Sequence, residues 1–109
     1  MRLEIAPEAE SELEAAFAYY DERSPTAAAG FAQSFFALIE QLRTFPQSAP
    51  IVREKYHRAL FAGFPWAAFY TIEEDLLLIV QVIHDSRSPE SWVERPPDAD
   101  AEPLQRRGL

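Results

Sequence analysis

The stretch that decides the fold is Trp66-Ala67-Ala68-Phe69-Tyr70-Thr71-Ile72, then Glu73-Glu74-Asp75, then Leu76-Leu77-Leu78-Ile79-Val80-Gln81-Val82-Ile83. The first piece is rich in aromatic and β-branched residues, which suit a pleated surface. The acidic triplet is a polar connection of hairpin length. The last piece is apolar except for Gln81, and its length and flanks predict a strand buried on both faces rather than a helix. Two adjacent strands with a tight turn are antiparallel neighbours.

Upstream, Tyr56 to Phe61 reads as a further strand, with Ala62-Gly63-Phe64-Pro65 as the turn into Trp66. Residues 47–53 read as a loop, with Pro46 and Pro50 as breakers. Before that the period becomes helical. Ala28, Phe31, Phe35, Leu38 and Leu42 fall three or four apart, and Ile39 widens the stripe. Ser24-Pro25 is a cap followed by proline at the first helical position. Phe45-Pro46 ends the helix. Gly30, beside Ala27, Ala28 and Ala29, predicts a close approach of the preceding helix. That helix starts at Pro7, with Glu8 and Glu10 at the positive end of its dipole. Ala6 is a weak cap. Leu13, Ala16, Phe17 and Tyr20 make its apolar side, and Glu8, Glu10, Glu12 and Glu14 are expected to face solvent. Arg2 to Ile5 alternates and reads as a short first strand.

The predicted class is therefore α+β. An N-terminal strand and a helical hairpin precede a three-stranded antiparallel meander, in one small sheet with the helices on one face. After Trp92 the chain carries Pro96, Pro97 and Pro103 with Asp98, Asp100 and Glu102. This predicts a domain over residues 1–95 and a flexible acidic tail over 96–109.

The chain has 109 residues, 48% of them hydrophobic, which suffices for one packed domain. It has no cysteine, so disulfide scaffolds, cysteine zinc sites and thiol nucleophiles are excluded. No apolar run approaches the roughly 18 residues of a membrane span. The opening Met1-Arg2-Leu3-Glu4-Ile5 does not read as a secretory signal, and a cytoplasmic location is expected. The net charge of −8 argues against direct nucleic-acid binding by the chain alone. The charge is uneven. Residues 1–22 hold seven acids and one base, whereas residues 23–72 hold two acids and five bases, three of them Arg53, Lys55 and Arg58. His57 and His84 are 27 residues apart and form no metal-ligand pattern. No metal or cofactor is expected. His57 is expected to face solvent.

Several stretches together resemble the RelE/ParE superfamily of type II toxins, and most closely its ParE-like branch. They are Ile5-Ala6-Pro7-Glu8-Ala9-Glu10 with Leu13, Tyr19-Tyr20-Asp21-Glu22-Arg23-Ser24-Pro25, Phe45-Pro46, Phe64-Pro65-Trp66 to Phe69-Tyr70, and Val82-Ile83-His84 with Arg87, Pro89 and Trp92. Their order and spacing over residues 1–95 carry the resemblance, since each alone is common.

The resemblance implies a small antiparallel sheet with an N-terminal helical hairpin, a toxin activity and a cognate antitoxin that holds it inactive. RelE-like relatives are ribosome-dependent mRNA endonucleases, and ParE-like relatives poison DNA gyrase. The RelE pattern places an arginine after the aromatic residue of the third strand, where this chain has Ala67. Its basic cluster after the fourth strand reads here His84-Asp85-Ser86-Arg87. Its C-terminal tyrosine is replaced near Trp92, whose indole has no hydroxyl. The expectation is thus a binding toxin without catalytic residues. If the chain were a nuclease, His84 and Arg87 would carry the chemistry. The alternatives are such a ribosome-dependent mRNA endonuclease, or a non-toxic relative that still binds an antitoxin.

Arg87, Trp92 and His84 are the candidate target-binding residues, because arginine and tryptophan recur in interface hot spots. The plainer reading folds Trp92 back onto the sheet, leaves Arg87 as a surface charge and bonds His84 to a neighbour. Phe36, off the core stripe, and Phe17, partly off its own, are candidates for antitoxin contact together with Arg53, Lys55 and Arg58. A solvated loop explains the three bases equally well.

Overall fold

The computed structural model describes residues 1–85. Seven elements follow in order: β1 (Arg2–Ile5), α1 (Pro7–Arg23), α2 (Pro25–Thr44), β2 (Ile51–Arg53), β3 (Tyr56–Leu60), β4 (Trp66–Glu73) and β5 (Leu76–His84). They form one five-stranded sheet in the order β1-β5-β4-β3-β2. The meander β3-β4-β5 is antiparallel as expected. β1 joins its outer edge parallel to β5, with Leu3 opposite Leu77 and Ile5 opposite Ile79.

The sheet has one strand more than the sequence pattern indicates, since β2 lies within the stretch read as loop. It has three residues, too few for an alternation to register. It pairs only with β3, through Ile51 opposite His57 and Arg53 opposite Tyr56. Glu54 makes the reversal with φ +50°, a left-handed backbone unusual for a non-glycine residue.

Both helix starts follow from local chemistry. Ser24 Oγ accepts from Ala27 N at 3.2 Å, capping α2. Ala6 offers no side-chain cap, but its own N–H donates to Ile79 O at 2.8 Å, which ties the start of α1 to β5. The α2 stripe packs on the sheet as its spacing predicts. Phe31 sits at the centre of a ring cluster, with centroids 5.2 Å from Tyr20, 5.4 Å from Phe61, 5.6 Å from Phe64 and 5.9 Å from Trp66. Ser34 joins this face through Oγ, which donates to Ala62 O at 2.8 Å in the β3–β4 turn. The close neighbour of Gly30 is Phe64 of that turn, not α1. A β-carbon at Gly30 would stand 3.3 Å from Phe64 Cζ.

One core joins both helices to one sheet face and includes Ala9, Ala16, Phe31, Leu38, Leu42, Ala59, Ala68, Tyr70, Leu77, Ile79 and Val82. Strict alternation along β5 from Leu77 and Ile79 would put Gln81 on the core face and turn Val82 away from it. A bulge corrects the phase: Phe69 pairs with Gln81 while Tyr70 pairs with Ile79, so Val80 is the extra residue. Val82 then returns to the helix side. A second cluster, of Tyr56, Ala67, Phe69 and Ile83 with Val80 against it, lies on the face away from the helices. β5 is therefore buried on both faces only in its C-terminal half, while Leu78 and Val80 are half-buried.

Two further expectations are corrected. His57 is buried, at 6% exposure, not solvated. Its ring stacks on Tyr70 at 4.7 Å and 10°, and its Nδ1 lies 2.8 Å from Ala49 O. A carbonyl only accepts, so Nδ1 carries the proton and donates. Tyr70 Oη donates to Pro46 O at 2.7 Å, so the pair fastens the 46–49 loop to the sheet. Burial holds the Tyr70 phenol above its ordinary pKa, against a smaller lowering by a backbone hydrogen bond. Glu12, placed among the solvated acids, is half-buried and accepts from Val82 N at 2.7 Å. β1 pairs with β5 only as far as Ile79, so the Val82 N–H lies beyond its last partner and a helix carboxylate takes over.

Candidate functional site

The described end of β5 gathers residues from four elements. His84 is the last residue of β5 and lies opposite Trp66, the first of β4. Their rings meet edge-on with centroids 5.3 Å apart. Trp66 Nε1 donates to Tyr20 Oη at 3.0 Å, which carries the contact to the C-terminal end of α1. Tyr19 meets Tyr20 edge-on at 5.3 Å, and the Arg23 guanidinium lies 3.7 Å over the Tyr19 ring. An aromatic row thus runs from the exposed Tyr19 to His84, with a cation at its outer end. Such rings contribute area with little loss of side-chain freedom on binding.

The next residue, Asp85, is held twice. Its N–H donates to Pro65 O at 2.6 Å, and its carboxylate pairs with the Arg58 guanidinium from β3. Arg58 lies opposite Phe69 in the sheet, between His57 and Ala59, whose side chains turn to the helices. Alternation therefore puts Arg58 on the helix-free face. The Asp85 carboxylate therefore reaches that face, while its N–H continues the pairing of β5 with the start of β4.

The predicted residues fall into separate places. His84 stands at this end of the sheet, half-buried. Arg87 and Trp92 lie outside the described residues, as does the 96–109 tail. Phe17 on α1 is 41% exposed and Phe36 on α2 is 64% exposed, so both present aromatic surface on the hairpin. The three bases do not act alike. Arg53 is exposed on β2, whereas Lys55 Nζ bonds Glu73 Oε2 at 3.0 Å and Arg58 is taken by Asp85. A partner's acid would have to displace an internal one at two of the three positions. Ala67 is buried on the helix-free face. Its methyl can neither donate a proton nor hold a phosphate, so the sheet offers no cation there for acid–base or electrostatic catalysis.

The residues missed from sequence are Tyr20 and Glu12. Tyr20 belongs to a core stripe and gives no sign of its hydroxyl's partner. Glu12 looks like any exposed helix acid until the end of β1 is known. Among the described residues no three His, Asp or Glu side chains stand together as metal ligands. Among them also, no helix is long and apolar enough to cross a membrane.

A sheet of this order with an N-terminal helical hairpin on one face makes this a small α+β protein. The model of one family, ParE toxin of type II toxin-antitoxin system, parDE, matches residues 3–89. The chain belongs to the ParE toxin family. No curated protein matches the sequence. A solved structure described as a chromosomal ParDE TA system from P. aeruginosa is similar with a TM-score of 0.62 and 18% identity. The match covers 77% of this chain and 95% of that one. At that identity the likeness concerns the fold.

Proposed function

We propose that this chain is the toxin of a type II pair, acts by binding a host enzyme such as DNA gyrase, and is held inactive by a cognate antitoxin. The family match over residues 3–89 carries this reading. The buried Ala67 and the Arg58–Asp85 pair support binding over nuclease chemistry, because the sheet presents few free cations to a scissile phosphate. The target contact is assigned to His84 and to Arg87 and Trp92, which follow it in sequence. The antitoxin contact is assigned to Phe17 and Phe36 on the hairpin, with Arg53 and Lys55 by the β2 edge of the sheet and Arg58 on β3. The aromatic residues supply desolvated area, and the bases orient an acidic segment. Such a toxin works in the cytoplasm, where its target lies.

The test is a supercoiling assay with purified chain, free of antitoxin. Inhibition of gyrase or trapping of cleaved DNA is expected, and addition of the antitoxin should reverse it. Normal supercoiling at large molar excess of the chain overturns the gyrase assignment. Cleavage of mRNA on ribosomes by the same preparation would replace the binding mechanism with an enzymatic one.

A further inference from the structure

Arg58 and Asp85 meet across the helix-free face although their strands are not neighbours. β4 lies between β3 and β5. Arg58 is opposite Phe69, whereas the Asp85 N–H donates to Pro65 O. Ala67 is the residue of β4 that turns to this face between those two positions, so the ion pair spans the strand diagonally above its methyl. A longer side chain at 67 would stand in the way of the guanidinium. The pair is also the more sheltered of the two that occupy the basic run. Its side chains are 30% and 40% exposed, against 59% and 67% for Lys55 and Glu73. Solvent screens it less, so it is the tighter of the two. Asp85 follows the last residue of β5, and its ties among the described residues are this carboxylate and its N–H.

We infer that Arg58 is an anchor with two alternative holders: Asp85 in the free chain, and a carboxylate of the antitoxin in the complex. This rests on the antitoxin contact proposed above. A carboxylate that grips the guanidinium fork with two hydrogen bonds competes with Asp85 for Nη2, and two carboxylates at one cation repel each other. Once Asp85 is released, the end of β5 keeps its backbone pairing to β4 and loses its side-chain tie. The strand end then frays more readily. His84, a target contact in the function proposed above, is the neighbouring residue. The ion pair thus couples the antitoxin surface on β3 to the target contact at the end of β5, without the antitoxin covering His84. Linkage makes the coupling reciprocal. A target that binds the ordered strand end favours Asp85 on Arg58 and weakens the antitoxin by the same factor. The modest strength of a half-exposed ion pair limits that factor to about one and a half- to fivefold.

The test is NMR spectroscopy on the full chain, titrated with an octaglutamate peptide in about 0.1 M salt, where long-range repulsion by the acidic chain is largely screened. Binding should shift the Arg58 side-chain signal and speed amide exchange at Asp85 and His84 by about one and a half- to fivefold, with exchange at Leu77 unchanged. Asp85→Asn removes the internal holder, so the peptide should bind that variant more tightly by the same factor. In an Arg58→Gln background, Asp85→Asn should leave the affinity unchanged. That cycle separates competition for Arg58 from the loss of one repelling charge. A tightening that persists in the Arg58→Gln background overturns the proposal. So does a peptide that shifts the signals of Arg53, Lys55 and Arg58 while exchange at Asp85 and His84 stays as it was. In that case the antitoxin contact stands and only the coupling falls. A peptide that shifts none of the three bases removes that contact and the coupling with it. Should a variant not fold, exchange in the wild-type chain decides alone. The gyrase assay reads none of these signals, so the target assignment fails separately.

Discussion

Trp66 and Tyr20, 46 residues apart in sequence, are joined by a 3.0 Å hydrogen bond from the indole Nε1 to the phenol oxygen. It is the polar link between the end of the helical hairpin and the start of the central strand. Both rings also pack around Phe31.

The link should be measurable as a coupling. Tyr20→Phe and Trp66→Phe each remove it, and each should lower stability by about 0.5–1.5 kcal/mol for the hydrogen bond, with a further packing loss for the indole. Urea denaturation of both single variants and the double variant gives the coupling energy. Strictly additive losses would mean that the bond contributes nothing.

Glu12 should matter more than its place among exposed acids suggests. Glu12→Ala leaves the Val82 N–H without its acceptor and should cost about 1–3 kcal/mol. Glu12→Gln keeps an acceptor oxygen and should cost less. Amide exchange at Val82 distinguishes this from a general loss of stability. In Glu12→Ala it should speed up more than exchange at Leu77, which is buried in the same strand.

Tyr70 gives an alkaline limit to stability. Its phenol has a raised pKa in the folded chain. The unfolded phenol ionises near pH 10, so the contribution is complete below that value and is lost as the pH rises from there through the folded pKa. Denaturation midpoints followed upward from about pH 8, below the ordinary phenol value, should fall less steeply for Tyr70→Phe. At neutral pH that variant should be weaker by about 0.5–1.5 kcal/mol, because Pro46 O loses its donor. An unchanged alkaline slope would reject the role of this group.

Phe36 and Phe31 separate surface from core on one helix. Phe36→Glu should shift stability by no more than about 0.5 kcal/mol, since the ring is 64% exposed. It should weaken antitoxin binding at least about tenfold if that helix face is the contact. Phe31→Ala should cost about 3–5 kcal/mol. Calorimetric titration beside thermal melts reads both quantities. Wild-type affinity in Phe36→Glu would move the contact elsewhere.

Much of the site's environment was hidden in the sequence for a common reason. Lys55 and Arg58 form a basic run when read along the chain. The β3–β4–β5 arrangement brings Glu73 and Asp85 against them, from 18 and 27 residues away. His57 sits between the same two bases, and only its position opposite Tyr70 shows that it faces the core.

What the sequence determined by itself is what depends on near neighbours. The two helices, their proline starts, the Ser24 cap, the stripe from Ala28 to Leu42 and the turns of the meander all depend on residues a few positions apart, and the family pattern is the order and spacing of such short stretches. The tertiary structure decided the rest. It placed β1 parallel at the outer edge of β5, made a strand of residues 51–53, and inserted the bulge at Val80 that returns Val82 to the core. It also turned Glu12 from a surface acid into the partner of a strand amide. These depend on register and on where a neighbouring strand stops, and hydrophobic periodicity along one segment carries neither.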